Sequence, residues 1–115
     1  MVLSLASAPA NAEKLRVTTF NIAWYGAGGR GFEDAIPEYR DSYLRDFIRS
    51  ELRYSDVIVF QEIVDVARFE RNVIGNFMDC QSYNHGGYMH QHVVLCHKPE
   101  YKFYRESFDN NWKLE

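Results

Sequence analysis

Two polar residues stand where apolar runs end. Val17-Thr18-Thr19-Phe20 leads into Asn21, and Val57-Ile58-Val59-Phe60 leads into Gln61-Glu62. β-Branched and alternating runs of this kind are strand-like, so both residues are predicted at the carboxyl ends of strands, where open α/β folds bind their ligands. A buried amide must be hydrogen-bonded; Asn21 therefore either ties down the loop that follows it or presents its amide to a ligand. A carboxylate at a sheet edge must find water, a cation or a base. A single such Glu is more often solvated, but two polar groups at adjacent strand ends can point into one crevice, and that favours a site.

Three other patterns carry possible chemistry. Gly26-x-Gly28-x-x-Gly31 has the letters of a dinucleotide fingerprint. That motif needs a helix opening within the glycines to face a pyrophosphate, whereas the helical stripe here begins only after Pro37, so a loop is the better reading. His85, His90, His92 and His97 are clustered. His90 and His92 on one strand would share a face, as zinc-binding imidazoles can; with no third ligand placed by spacing, polar histidines at a strand edge are the simpler reading. Cys80 and Cys96 are too few for a disulfide scaffold or a four-cysteine zinc site. In an oxidising compartment they are expected to pair and staple the intervening loop to a strand; in a reducing one they are buried thiols.

The elements that would position these residues follow from periodicity. A strand is predicted from Leu15 through Trp24, then a Gly-rich loop over 25–36. Pro37 suits the first turn of a helix, and Tyr43, Leu44, Phe47, Ile48 and Leu52 form its apolar stripe. The unbroken run Val57–Phe60 predicts a strand buried on both faces. Val66, Phe69, Val73, Ile74 and Phe77 give a second helical stripe, with Asp65 as its N-cap. Residues 80–87 are polar and predict a loop, Val93-Val94-Leu95 a third strand stopped by Pro99, and Tyr101 the start of a fourth. The order is β-α-β-α-β-β.

Composition narrows the class. The chain of 115 residues allows one domain at most. An apolar fraction of 46% excludes a disordered chain. Lys+Arg 13 against Asp+Glu 16 is too balanced to mark a nucleic-acid binder by charge alone, although an enzyme that coordinates cations carries acids for that purpose. No apolar run approaches the length of a membrane span. Residues 1–12, MVLSLASAPANA, end in the A-x-A form of a signal-peptidase site. No Lys or Arg precedes their short apolar piece, so they read as a signal-peptide remnant, the alternative being a small-residue tail. The expected location is secreted or periplasmic, with residues 13–115 as the domain.

Taken together, Val17-Thr18-Thr19-Phe20-Asn21-Ile22, Asp56-Val57-Ile58-Val59-Phe60-Gln61-Glu62-Ile63 and the strand-like Gln91–Pro99 resemble the endonuclease/exonuclease/phosphatase superfamily. That group includes deoxyribonuclease I, apurinic endonucleases, sphingomyelinases and inositol-polyphosphate phosphatases. The resemblance covers about residues 15–105 and implies part of a four-layered α/β sandwich with its active site at one edge of two packed sheets. It implies that Asn21 hydrogen-bonds the scissile phosphate or orders the site, and that Glu62 holds a divalent cation, usually Mg2+, with Mn2+ or Ca2+ as alternatives. It aligns Tyr88 with a tyrosine that touches the phosphate. Nucleic acid is the implied substrate of the complete enzyme.

The same family carries, in its second half, an Asp-x-Asn pair that orients the nucleophile and a Ser-Asp-His motif that supplies the catalytic histidine. Ser-Asp-His does not occur here, and Asp109-Asn110-Asn111 is not assigned to the first motif. The chain therefore reads as the N-terminal half of a secreted, metal-dependent phosphodiesterase, inactive without the other half of its domain. A phosphomonoesterase or sphingomyelinase-type enzyme on the same fold, or a non-enzymatic remnant, are the alternatives.

Overall fold

A computed structural model describes residues 14–27, 37–84 and 90–103. Strand β1 (Val17–Tyr25) is followed by helix α1 (Pro37–Glu51) and strand β2 (Val57–Ile63). A short helix α2 (Val66–Arg68) runs directly into a π-helical segment (Phe69–Ile74), and strands β3 (Asp79–Asn84) and β4 (His92–His97) complete the described elements. The four strands form one mixed sheet in the order β1-β2-β4-β3. β1 and β2 are parallel, as strands joined through a crossover helix can be, and β4 runs antiparallel to both β2 and β3.

Each helical element is held by features visible in its own sequence. Pro37 opens α1, Glu38 lies in its first turn and Arg49 in its last, which matches the helix dipole at both ends. Leu44 and Ile48 are the buried part of its stripe. Asp65 caps α2 by accepting the Arg68 N–H at 3.0 Å. The π-helical segment buries Phe69, Val73 and Ile74 and stops at Gly75, whose φ is 56°. Arg49 of α1 donates to the Val73 and Ile74 carbonyls at 2.9 and 2.8 Å. These carbonyls lie at a helix end where intrahelical partners run out, so the guanidinium joins the two helical elements while satisfying them.

Both helical elements pack on one face of the sheet. Ile22, Ile58, Phe60, Val94 and Cys96 from the strands meet Leu44, Ile48, Phe69 and Val73 in a single buried cluster. Phe60 lies at its centre, with its ring centroid 6.2 Å from Phe20 and 4.8 Å from Phe69. The opposite face is more open. Val17 is 57% exposed, Thr19 is exposed, and Val59, Val93 and Leu95 are only half-buried. Among the described residues, Phe103 reaches this face: its carbonyl accepts from Gln81 at 3.1 Å and its ring lies 4.6 Å from that of His97. At the opposite end of β2 from Glu62, Asp56 accepts the Arg16 N–H at 2.9 Å and pairs with Lys98 at 3.3 Å.

The structure departs from the sequence reading at three places. Residues 80–87 were expected as a loop, but Asp79–Asn84 is strand β3, and Tyr101–Phe103 is not a strand. The order of strands and helices is therefore the expected one, built from a different last pair. The reason is that β3 is an edge strand. An edge strand tolerates polar side chains because one side of it stays wet, so its composition mimics a loop. Second, β2 is buried on both faces at its start, where Val57 and Ile58 are both covered, but Val59 is only half-buried. Third, His90 precedes β4 with φ 52°, so His90 and His92 are not two positions of one strand. The signal-peptide reading for residues 1–12, His85, and Asp109-Asn110-Asn111 lie outside the described residues.

Cys80 and Cys96 face each other across β3 and β4 and are disulfide-bonded, with Cα atoms 4.1 Å apart. The bridge joins two strands directly, rather than a loop to a strand.

Candidate active site at a bulged sheet edge

The regular pleat of β1 and β2 ends at the pair Asn21 and Gln61. The next paired residues are Tyr25 and Ile63, so Ile22, Ala23 and Trp24 lie opposite Glu62 alone. β2 also slips against β4: Phe60 pairs with Val94, but Ile63 pairs with His92. Glu62 thus sits in a bulge on both sides. Among the described residues, the non-glycine positions with left-handed φ are Ala23 (32°), Trp24 (60°), Glu62 (61°) and His90 (52°). Three of these four are at this edge. Such conformations cost on the order of 1–3 kcal/mol each and persist only when the surroundings hold them.

The holding contacts can be traced. The Asn21 side-chain Oδ1 accepts the Ala23 N–H at 2.8 Å. Arg40 of α1 is 8% exposed, and its Nη2 donates to the carbonyls of Ile22 (2.6 Å) and Ala23 (3.2 Å). The Tyr25 carbonyl accepts N–H groups from Val64 (2.7 Å) and Asp65 (3.2 Å), and the Ala27 N–H reaches the Trp24 carbonyl at 3.0 Å. His92 Nδ1 lies 3.3 Å from the Ile63 carbonyl. Beneath these, the Tyr25 hydroxyl donates to Asp41 at 2.6 Å. Asp41 also accepts from Arg68 at 2.8 and 3.0 Å and from Asn72 at 3.0 Å. Burial alone would raise the Asp41 pKa, but the hydrogen bonds from Arg68, Tyr25 and Asn72 together with the Arg68 charge outweigh it and hold the carboxyl below its ordinary range.

Gly26 closes the turn at this edge, with φ 84°. A Cβ built there would overlap the Cβ and backbone nitrogen of Asp65. Gly26→Ala is therefore expected to destabilise the chain by about 1–3 kcal/mol, from a left-handed conformation and overpacking together. A urea midpoint that falls with an unchanged slope would show it; an unchanged midpoint would contradict it.

No family model matches the chain, and no curated protein and no solved structure matches it either.

The structure brings Asn21 and Glu62 to the same end of two neighbouring parallel strands. Asn21 is exposed and Glu62 half-buried. Among the described residues, no hydrogen bond or ion pair occupies the Glu62 carboxylate, and no three His, Cys, Asp or Glu side chains gather as a metal cage. A site built here would thus offer a cation one carboxylate. That suits Mg2+, which binds through one or two carboxylates and keeps several waters. It does not suit a four-ligand zinc site. Tyr88 lies outside the described residues.

Arg40, Asp41 and His92 were not singled out as parts of this edge from sequence. A signal existed for Asp41, which precedes Leu44 and Ile48 by three and seven positions and so lies on the buried stripe of α1. A charge there requires a buried partner. A cleft of about 370 Å³ lined by Glu38, Asp41, Ser42, Arg45, Arg71 and Asn72 lies between α1 and the π-helical segment. Neither Asn21 nor Glu62 lines it. Among the described residues, no helix is long and apolar enough to cross a membrane.

Proposed function

We propose that this chain carries the N-terminal part of a secreted, divalent-metal-dependent phosphodiesterase of the endonuclease/exonuclease/phosphatase superfamily, acting on nucleic acid. The observation that supports this reading most is the double bulge that sets Glu62 beside the end of β1, one pair beyond Asn21. Backbone strain of this kind clusters at functional sites, and the carboxyl edge of an open α/β sheet is where such folds bind ligands. A bound Mg2+ supplies charge stabilisation to phosphoryl oxygens during in-line attack. Glu62 is the residue that holds it. Asn21 has its Oδ1 committed to the Ala23 N–H, so its amide NH2 is the group offered to a phosphate oxygen, an acceptor. The open face of the sheet is where a second sheet would pack to complete a four-layered sandwich.

The test uses the whole 115-residue chain, isotopically labelled, with Mn2+ alone as a paramagnetic stand-in. Amide signals of residues 21–24 and 61–63 should broaden first. Glu62→Gln should raise the Mn2+ concentration needed by about tenfold or more, because a neutral amide is a poor ligand for a hard cation. Broadening that starts elsewhere, or is unchanged in Glu62→Gln, overturns the reading.

A further inference from the structure

The carbonyls of Ile22 and Ala23 lie in the register slip between β1 and β2, in the stretch that lies opposite Glu62 alone. A backbone oxygen left without a partner in a partly buried place is costly. Arg40 reaches both oxygens from α1 with a single nitrogen. Its guanidinium also lies 5.5 Å from the centre of the Tyr25 ring, at the last residue of β1. The next residue of the helix, Asp41, takes the Tyr25 hydroxyl. Two consecutive helix residues therefore grip the strand within its bulge and at the residue that ends it. The bulge in turn aims Asn21, because the Ala23 N–H that Asn21 accepts shares a planar peptide unit with the gripped Ile22 carbonyl.

From this chain of contacts we infer that Arg40 is a positioning residue for Asn21: by fixing the Ile22 and Ala23 carbonyls it orients the Ala23 N–H, which locks Asn21 with its amide NH2 outward. The planar guanidinium suits the task because it presents donors in a rigid fork and keeps its charge when buried. A lysine ammonium is a strongly hydrated point on a flexible stem. The use of this orientation in binding a phosphate oxygen rests on the proposed phosphodiesterase reading; the orientation itself does not.

The experiment compares Arg40→Met and Arg40→Lys with Leu44→Ala in the whole chain. Leu44→Ala weakens the α1 packing against the same cluster but removes no hydrogen-bond donor to the bulge carbonyls. In Arg40→Met, the Ala23 amide should exchange with solvent at least roughly tenfold faster than in Leu44→Ala at matched overall stability, since charge-assisted hydrogen bonds are lost. The Asn21 side-chain NH2 resonances should move toward those of free asparagine, and Arg40→Lys should fall between. An Ala23 amide and Asn21 resonances that respond no more than in Leu44→Ala overturn the inference. If Arg40→Met does not fold, Arg40→Lys decides: wild-type Asn21 resonances in that variant overturn it. Adding Mn2+ to the wild-type chain separates the two readings. Failure to broaden Glu62 would remove the metal site, whereas the Asn21 response to Arg40 substitution stands or falls by itself.

Discussion

Asp41→Ala is expected to destabilise the chain by about 3–5 kcal/mol, the usual cost of breaking a buried ion pair from one side. The side chains of Asp41 and Arg68 are 7% and 14% exposed and meet at 2.8 Å. Removing the carboxylate takes a partner from the Arg68 guanidinium, the Tyr25 hydroxyl and the Asn72 amide, all of which donate to it. The cost comes from leaving the buried Arg68 charge without its carboxylate more than from the lost attraction. Asp41→Leu combined with Arg68→Met should therefore be less damaging than Asp41→Leu alone. Equal losses in the single and double variants, measured by urea unfolding, would contradict this account.

The same group sets an acid limit on stability. The folded-state pKa of Asp41 lies below its ordinary value, so folding favours the ionised form. Its contribution is complete above the unfolded pKa of about 3.9 and is lost as the pH falls through the folded value. Asp56 acts in the same direction: the Arg16 N–H is the largest cause, burial opposes it, and Lys98 adds to it. The contribution of these two carboxylates should hold steady from neutrality to about pH 4 and decline below it; Glu70, whose carboxyl is pushed up by burial, works in the opposite direction, and Asp41→Asn should flatten the acid decline. A wild-type curve that stays level down to pH 2 would refute the assignment.

Loss of the Cys80–Cys96 disulfide is expected to cost about 3 kcal/mol in the chain-entropy view, for a sequence separation of 16. The effect should be local as well as global. Among the described residues β3 lies at the sheet edge and pairs with β4 alone, and its residues are half-buried or exposed. With Cys80→Ala and Cys96→Ala together, β3 amides should lose exchange protection well before those of β2, which pairs on both sides. Uniform loss across the sheet would show that the bridge acts only on the unfolded chain. Alanine is the appropriate replacement because Cys96 is fully buried in the core and a serine hydroxyl there would need a partner.

How much of this was legible in the sequence differs from element to element. α1 was, from Pro37 onward, because a stripe of apolar residues at helical spacing states which face must be buried. The Asp65 cap was legible because its side chain bonds to a backbone group three residues away, a contact that needs no tertiary partner. The placement of Asn21 and Glu62 at strand ends followed from apolar runs that stop. β3 was not legible: an edge strand buries too little for its periodicity to rise above its polar composition.

What only the tertiary structure decided is the bulge and its supports. Left-handed φ at Ala23, Trp24 and Glu62 runs against the local preferences of those residue types, so no local rule calls for it. It exists because contacts from distant parts of the chain outweigh the local cost: Arg40 on the Ile22 and Ala23 carbonyls, and Val64 and Asp65 on the Tyr25 carbonyl. The sequence by itself determined which residues stand at the carboxyl edge of the sheet, since strand length and burial are local consequences of apolar patterning. Their orientation at that edge is a property of a helix meeting a strand, and a periodicity cannot express it.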